Sequence, residues 1–275
     1  MASPPVKTAH PWHLPPGVTG AIKVESTAMS VLWAQSIRLT WRPELRFYEK
    51  RVSILQSFEQ RGDLRAFRVQ ENFVDARLFD SRDRLSVRQD GLDLHLDRPD
   101  ADVDRAWEAV ETSISTVGPS QPRTIMVSFQ HLTTLDMSFA EAVRRAYGGI
   151  FGRLGTESIR LDDWALLVDV WMHEESFGQM EFGVVRADEV PGRLSRSSGR
   201  IGTRQPEARD LPKPDELEPV SLFSDFWVSR NLAPGDEFGS EAHRFWHTAR
   251  IEAGKLVTTL ERMLVGDDIH GEMAR

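Results

Sequence analysis

Twice along this chain a strand-like run passes directly into a helical one, then into shorter strands, then into a second helix. The first run is AIKVESTAMSVLWAQSIRLTW, within residues 21–42. It is dense in Val, Ile, Trp and Thr, residue types that suit a pleated, half-buried surface. Pro43 then predicts the first turn of a helix, where a missing N–H costs nothing. Leu45, Tyr48, Val52, Leu55 and Phe58 recur at helical spacing as far as Gln60, and Gly62 ends the helix. Two stretches of period-two alternation follow, LRAFRVQENFVDARLF and RLSVRQDGLDLHL. The second contains Asp90-Gly91, a strong signal for a two-residue hairpin turn. ADVDRAWEAVETSISTV, residues 101–117, predicts the closing helix, packed through Val103, Trp107, Val110 and Ile114.

The order then recurs. RTIMVSFQHL (123–132) reads as a strand, and SFAEAVRRAYGGIFG as a helix whose Ser138 and Glu141 form a capping-box pair. DDWALLVDVWMH and FGQMEFGVVRA read as two strands joined by a tight turn, and VSLFSDFWVSR (220–230) as another strand. A long helix over 236–265 keeps Phe238, Ala242, Phe245, Ala249, Leu256, Leu260 and Leu264 near one face. This order predicts an α+β fold of duplicated β-α-β(n)-α halves, with an antiparallel sheet or sheets and helices packed on one face. The expected divisions are an extended Pro-rich arm over 1–18, a first α+β repeat over 19–120 and a second over 121–275. Within the second, 191–219 is expected to be a mobile loop. Its PGRLSRSSGRIGTRQP portion holds Arg193, Arg196, Arg200 and Arg204 and no acid.

Composition narrows the function. A formal net charge of -8 argues against nucleic acid bound over the whole surface, leaving the Arg-rich loop as the one place for such a contact. The chain has no Cys, which excludes disulfides, thiolate metal sites and a cysteine nucleophile. No run approaches the ~18 apolar residues of a membrane helix, and the N-terminus lacks the apolar core of a signal peptide. The expectation is a cytoplasmic protein with no membrane partner. GGIFGRLG (148–155) follows a helix rather than a strand, the wrong context for a phosphate loop. There is no G-x-S-x-G elbow, and no cofactor is expected.

The stretch that most resembles a site is DVWMHEESFGQME, residues 169–181. Read as a hairpin, it sets Val170 opposite Met180 and Val168 opposite Phe182, because register follows the buried face. The other face then carries Asp169 opposite Glu181 and Trp171 opposite Gln179, with His173 at the edge and Glu174 and Glu175 in the turn. Facing carboxylates repel, so a covered pair needs a cation or a shared proton. Three readings stay open: a solvated face, a partner-binding face, or a metal or catalytic site. Trp171 counts against the plainest of them, since a Trp on a polar face asks for cover. On the last helix, HRFWH places His243 and His247 at metal-binding spacing. Arg244 stands where the metalloprotease motif needs Glu, so the pair reads as helix-face histidines.

TIMVSFQHLTTL, LLVDVW and EAHRFWHTARIEAGKLVTTLERML, with the repeated element order, resemble a sporadically distributed family of uncharacterised bacterial proteins. The likeness spans residues 20–265. The family's Arg-Tyr-Asn run is replaced here by Ser128, Phe129, Gln130 and His131. The resemblance implies an accessory or partner-binding factor in a defence or toxin–antitoxin setting. The outline is also similar to the small-molecule-sensing GyrI-like fold, with a groove between its repeats.

The leading expectation is a non-catalytic protein that holds a protein partner through an open sheet face or an inter-repeat groove. Its binding residues would be Asp169, Trp171, His173, Gln179 and Glu181, with Arg193, Arg196, Arg200 and Arg204 as a second contact. The alternatives are a small-molecule or nucleotide sensor, and a metal-dependent or acid–base enzyme using Asp169 and Glu181.

Overall fold

In a computed structural model, which describes residues 30–79, 82–97, 101–151, 165–172, 176–200, 211–232 and 238–265, the first strands of the two halves lie side by side. These are β1 (Ser30–Trp41) and β6 (Pro122–Thr134), antiparallel, with Ser36 opposite Ser128. Between them in sequence come α1 (Arg46–Gln60), β2 (Leu64–Val69), β3 (Phe73–Leu78), β4 (Asp83–Arg88), β5 (Gly91–Leu96) and α2 (Val103–Val117). After β6 come α3 (Phe139–Phe151), β7 (Ala165–Trp171), β8 (Ser176–Arg186), α4 (Val190–Arg200), β9 (Val220–Asn231) and α5 (Phe238–Val265). The strands make one nine-stranded antiparallel sheet in the order β2-β3-β4-β5-β1-β6-β9-β8-β7. Each half closes by pairing its first strand with its last, β1 with β5 and β6 with β9. The fold is α+β. The halves agree in this closure and differ in strand number.

Local chemistry explains most boundaries. Asp102 caps α2 by accepting a hydrogen bond from the Arg105 N–H at 3.1 Å, and Gly118 ends it in the left-handed conformation at φ 63°. Ser138 accepts from the Glu141 N–H at 3.3 Å. The Glu141 side chain pairs with Arg144 and Arg145. The hairpin at Asp90-Gly91 forms one residue earlier than predicted, since Arg88 pairs with Gly91 and the turn is Gln89-Asp90. Gly91 serves a different need: a Cβ there would lie 2.6 Å from the Leu39 carbonyl oxygen. The predicted arm over 1–18, and the part of the first strand before Ser30, lie outside the described residues.

Alternate strand residues face the main core, among them Ile37, Leu39, Val74, Leu85, Leu94, Val127, Phe129, Val184 and Phe226. α1, α2, α3 and α5 all contribute to this core, as the one-sided packing predicts. α4 is an addition on the other face, where Val190 and Leu194 pack with Leu132, Val185 and Phe223. The expected mobile loop over 191–219 therefore needs correction. Its first ten residues are helical, because Val190 and Leu194 stand one turn apart and are buried. Residues 211–219 are also placed, with Leu211 and Leu217 against the same small core. Among the described residues no helix is long and apolar enough to cross a membrane.

Candidate functional site

The β7–β8 hairpin sits at one end of the sheet, and its register differs from the predicted one by two residues. Val168 lies opposite Met180, and Val170 opposite Gly178. Asp169 therefore faces Gln179, and Glu181 faces Leu167. Matching apolar side chains alone could not see that β9 also constrains β8. A Cβ at Gly178 would lie 2.0 Å from the Trp227 carbonyl oxygen, so this position admits only Gly. A slip of two residues leaves every side chain on its original face. Asp169, Trp171, Gln179 and Glu181 thus share the open face as expected, and Val170 and Met172 turn toward the core.

The two carboxylates have separate partners. Gln179 donates from Nε2 to Asp169 Oδ1 at 3.0 Å. Glu181 accepts from the Arg193 guanidinium of α4 at 2.6 Å, with both side chains mostly covered. Arg193 thus fastens α4 across the sheet instead of serving as a mobile contact. Asp169 itself is exposed. His173, Glu174, Glu175 and Arg204 lie outside the described residues, as do the side chains of Arg196 and Arg200.

Trp171 is 69% exposed and touches Phe177 edge-on at 5.2 Å between ring centres. Phe177 in turn meets Trp227 of β9 edge-on at 6.0 Å. Leu167 adds a fourth apolar side chain on the same face and is 54% exposed. Phe177 and Trp227 escaped the sequence reading, although Phe177 stands two residues from Gln179 and so shares the face already assigned to it.

Toward the middle of the sheet the open face becomes polar and covered. Ser36, His95 and Ser128 occupy one cross-strand row, followed by Trp227, Gln179 and Asp169. Ser36 Oγ and His95 Nδ1 are 2.9 Å apart, and burial lowers the His95 pKa, so the ring is neutral near pH 7. Asp93 is not the third member of a triad. It binds Arg38 at 2.5 Å and Arg88 at 2.5 Å, so its carboxylate is committed to the two arginines.

His243 stacks on Trp107 at 4.8 Å, consistent with a packing role, and it and His247 are both exposed. Among the described residues no group of three His, Asp or Glu side chains could hold a metal.

No family model matches the chain, and no curated protein does. The functional reading therefore rests on the geometry.

Proposed function

We propose that this is a non-catalytic, cytoplasmic binding protein that holds an extended segment of a protein partner along β7, as an added strand. The supporting observation is the contrast between the two sheet edges. β2 carries Arg65 and Arg68 and an irregularity between Leu64 and Ala66, features that discourage pairing. β7, ALLVDVW, has one charge, no Pro and no irregularity in its pairing with β8. Among the described residues it has no neighbour on its outer side. An open edge offers a row of backbone donors and acceptors, and side chains beside it supply specificity. Here those are Leu167, Asp169 and Trp171 with Phe177, a composition rich in aromatic anchors. The resemblance noted in the sequence would place such a partner in a defence or toxin–antitoxin setting, which belongs to this proposal.

The test starts from affinity capture of the partner from native cells, followed by hydrogen exchange on the complex. Slowed exchange across 165–171, with binding lost in Leu167→Lys and Trp171→Ala, is the expected result. A partner that binds both variants normally, with β7 exchange unchanged, would sink this reading.

A further inference from the structure

β7 ends the sheet, and its apolar side chains are left uncovered on both faces. Leu166, Val168 and Val170 turn to the core side and are only partly buried against it. Leu167 and Trp171 stand 54% and 69% exposed on the other side. The edge is therefore matched by a strand that is apolar on both faces. β7 of a second copy has that pattern, since its side chains alternate between the same two faces.

Two copies can pair edge to edge about a two-fold axis perpendicular to the sheet. Directly opposite residues share a face, so the axis passes through one residue of β7, which then faces its own copy. Centred on Val168, this register pairs all 7 residues of the strand. On the core side Val168 meets the partner's Val168, and Leu166 meets the partner's Val170. On the open side Trp171 meets the partner's Ala165, the smallest side chain in the strand, and is the diagonal neighbour of the partner's Leu167. The two exposed apolar side chains of the edge thus cover each other. Centring on Asp169 would set two carboxylates face to face, which is destabilising. Centred on Val168 they are diagonal, roughly 7–8 Å apart, and each keeps its own hydrogen bond from Gln179.

The other edge of the sheet favours the same closure. Pairing β7 of one copy with β2 of the next would propagate without end, whereas a strand paired with itself closes after two copies. Arg65, Arg68 and the irregularity between Leu64 and Ala66 discourage that open chain. We infer that the occupant of the β7 edge is a second copy of this chain, joined β7 to β7 in the antiparallel register centred on Val168, so that the two sheets run into one. This rests on the strand-addition reading of β7 and names its partner.

Sedimentation equilibrium of the full chain is expected to show a monomer–dimer equilibrium. Leu167→Asp sets a carboxylate opposite the partner's Asp169, twice over by symmetry, and should weaken association roughly tenfold or more. Asp169→Asn removes the diagonal repulsion and should tighten it roughly threefold. Arg65→Gln, on β2, should leave it unchanged. The chain has no Cys, so single cysteines report the register cleanly. Val168→Cys should give a disulfide-linked dimer on mild oxidation, because it faces its own copy. Val170→Cys should not, because its copy stands four residues away along the partner strand. A monomer at every concentration overturns the inference and leaves the strand-addition reading to its own capture test. A dimer that Leu167→Asp leaves intact, or that cross-links as readily through Val170→Cys, overturns it too. A dimer with free hydrogen exchange across 165–171 counts against both.

Discussion

Gly178 of β8 and Trp227 of β9 approach so closely that a Cβ on the glycine would stand 2.0 Å from the Trp227 carbonyl oxygen and 2.7 Å from the Val228 Cα. Both obstacles are backbone, so no side chain can rotate away. Gly178→Ala is expected to cost about 3 kcal/mol or more, through overpacking and a broken β8–β9 ladder. Chemical denaturation checks this. Hydrogen exchange should show the loss spreading to β7, which is joined to the sheet through β8.

Asp93 is a buried carboxylate held by two arginines, Arg38 and Arg88, from the strands on either side of β5. Replacing it with Ala leaves two partly covered cations facing each other. The expected loss is about 3 kcal/mol, since breaking a buried ion pair strands the remaining charge. Removing Arg88 as well should restore part of that loss, measured as a coupling in a double-mutant cycle.

The Glu181–Arg193 pair is 18% exposed on each side, so it is less screened than a surface pair. Arg193→Ala and Glu181→Ala should each destabilise the fold modestly, with a coupling of about 1 kcal/mol. The sensitive readout is proteolysis within α4, whose other anchors are Val190 and Leu194. Unchanged cleavage there would refute the fastening role.

Burial, and then the Arg250 charge, lower the His131 pKa from 6.5 to about 4. Between those values the unfolded chain binds a proton that the folded protein does not. Stability is therefore greatest above pH 6.5 and declines as pH falls toward 4, by up to about 3 kcal/mol from this residue. His95, also lowered by burial, acts in the same direction. Glu261 acts the other way: its pKa is raised by burial, and its contribution is lost as pH rises through its folded value. Melting temperatures of the protein and of His131→Gln, compared from pH 7 to 4, isolate the His131 share. Parallel curves would contradict it.

Much of this architecture is legible in the chain itself. The helices over 46–60, 103–117 and 238–265 were visible because apolar residues recur at helical spacing in each, and Gly62 ends the first. The face of each residue in 165–186 was legible too, since alternation is a property of one strand. Partners were not. The Asp169–Gln179 pairing depends on where β9 lies against β8, a contact made some fifty residues further on. α4 was obscured by its Arg, Ser and Gly content. Only Val190 and Leu194, with Pro191 in the first turn, hinted at a helix.

The pairing of β1 with β6 has a consequence for synthesis of the chain. The amino-terminal half can complete its own five-stranded sheet, β2 to β5 closing on β1, before any of β6 exists. Until then β1 presents a bare edge with Leu32, Ile37 and Leu39 along it. β6 must later pair on both sides, back to β1 and forward to β9. Such distant contacts form slowly. The half-made protein thus carries an uncovered seam at the line that becomes the middle of the finished sheet.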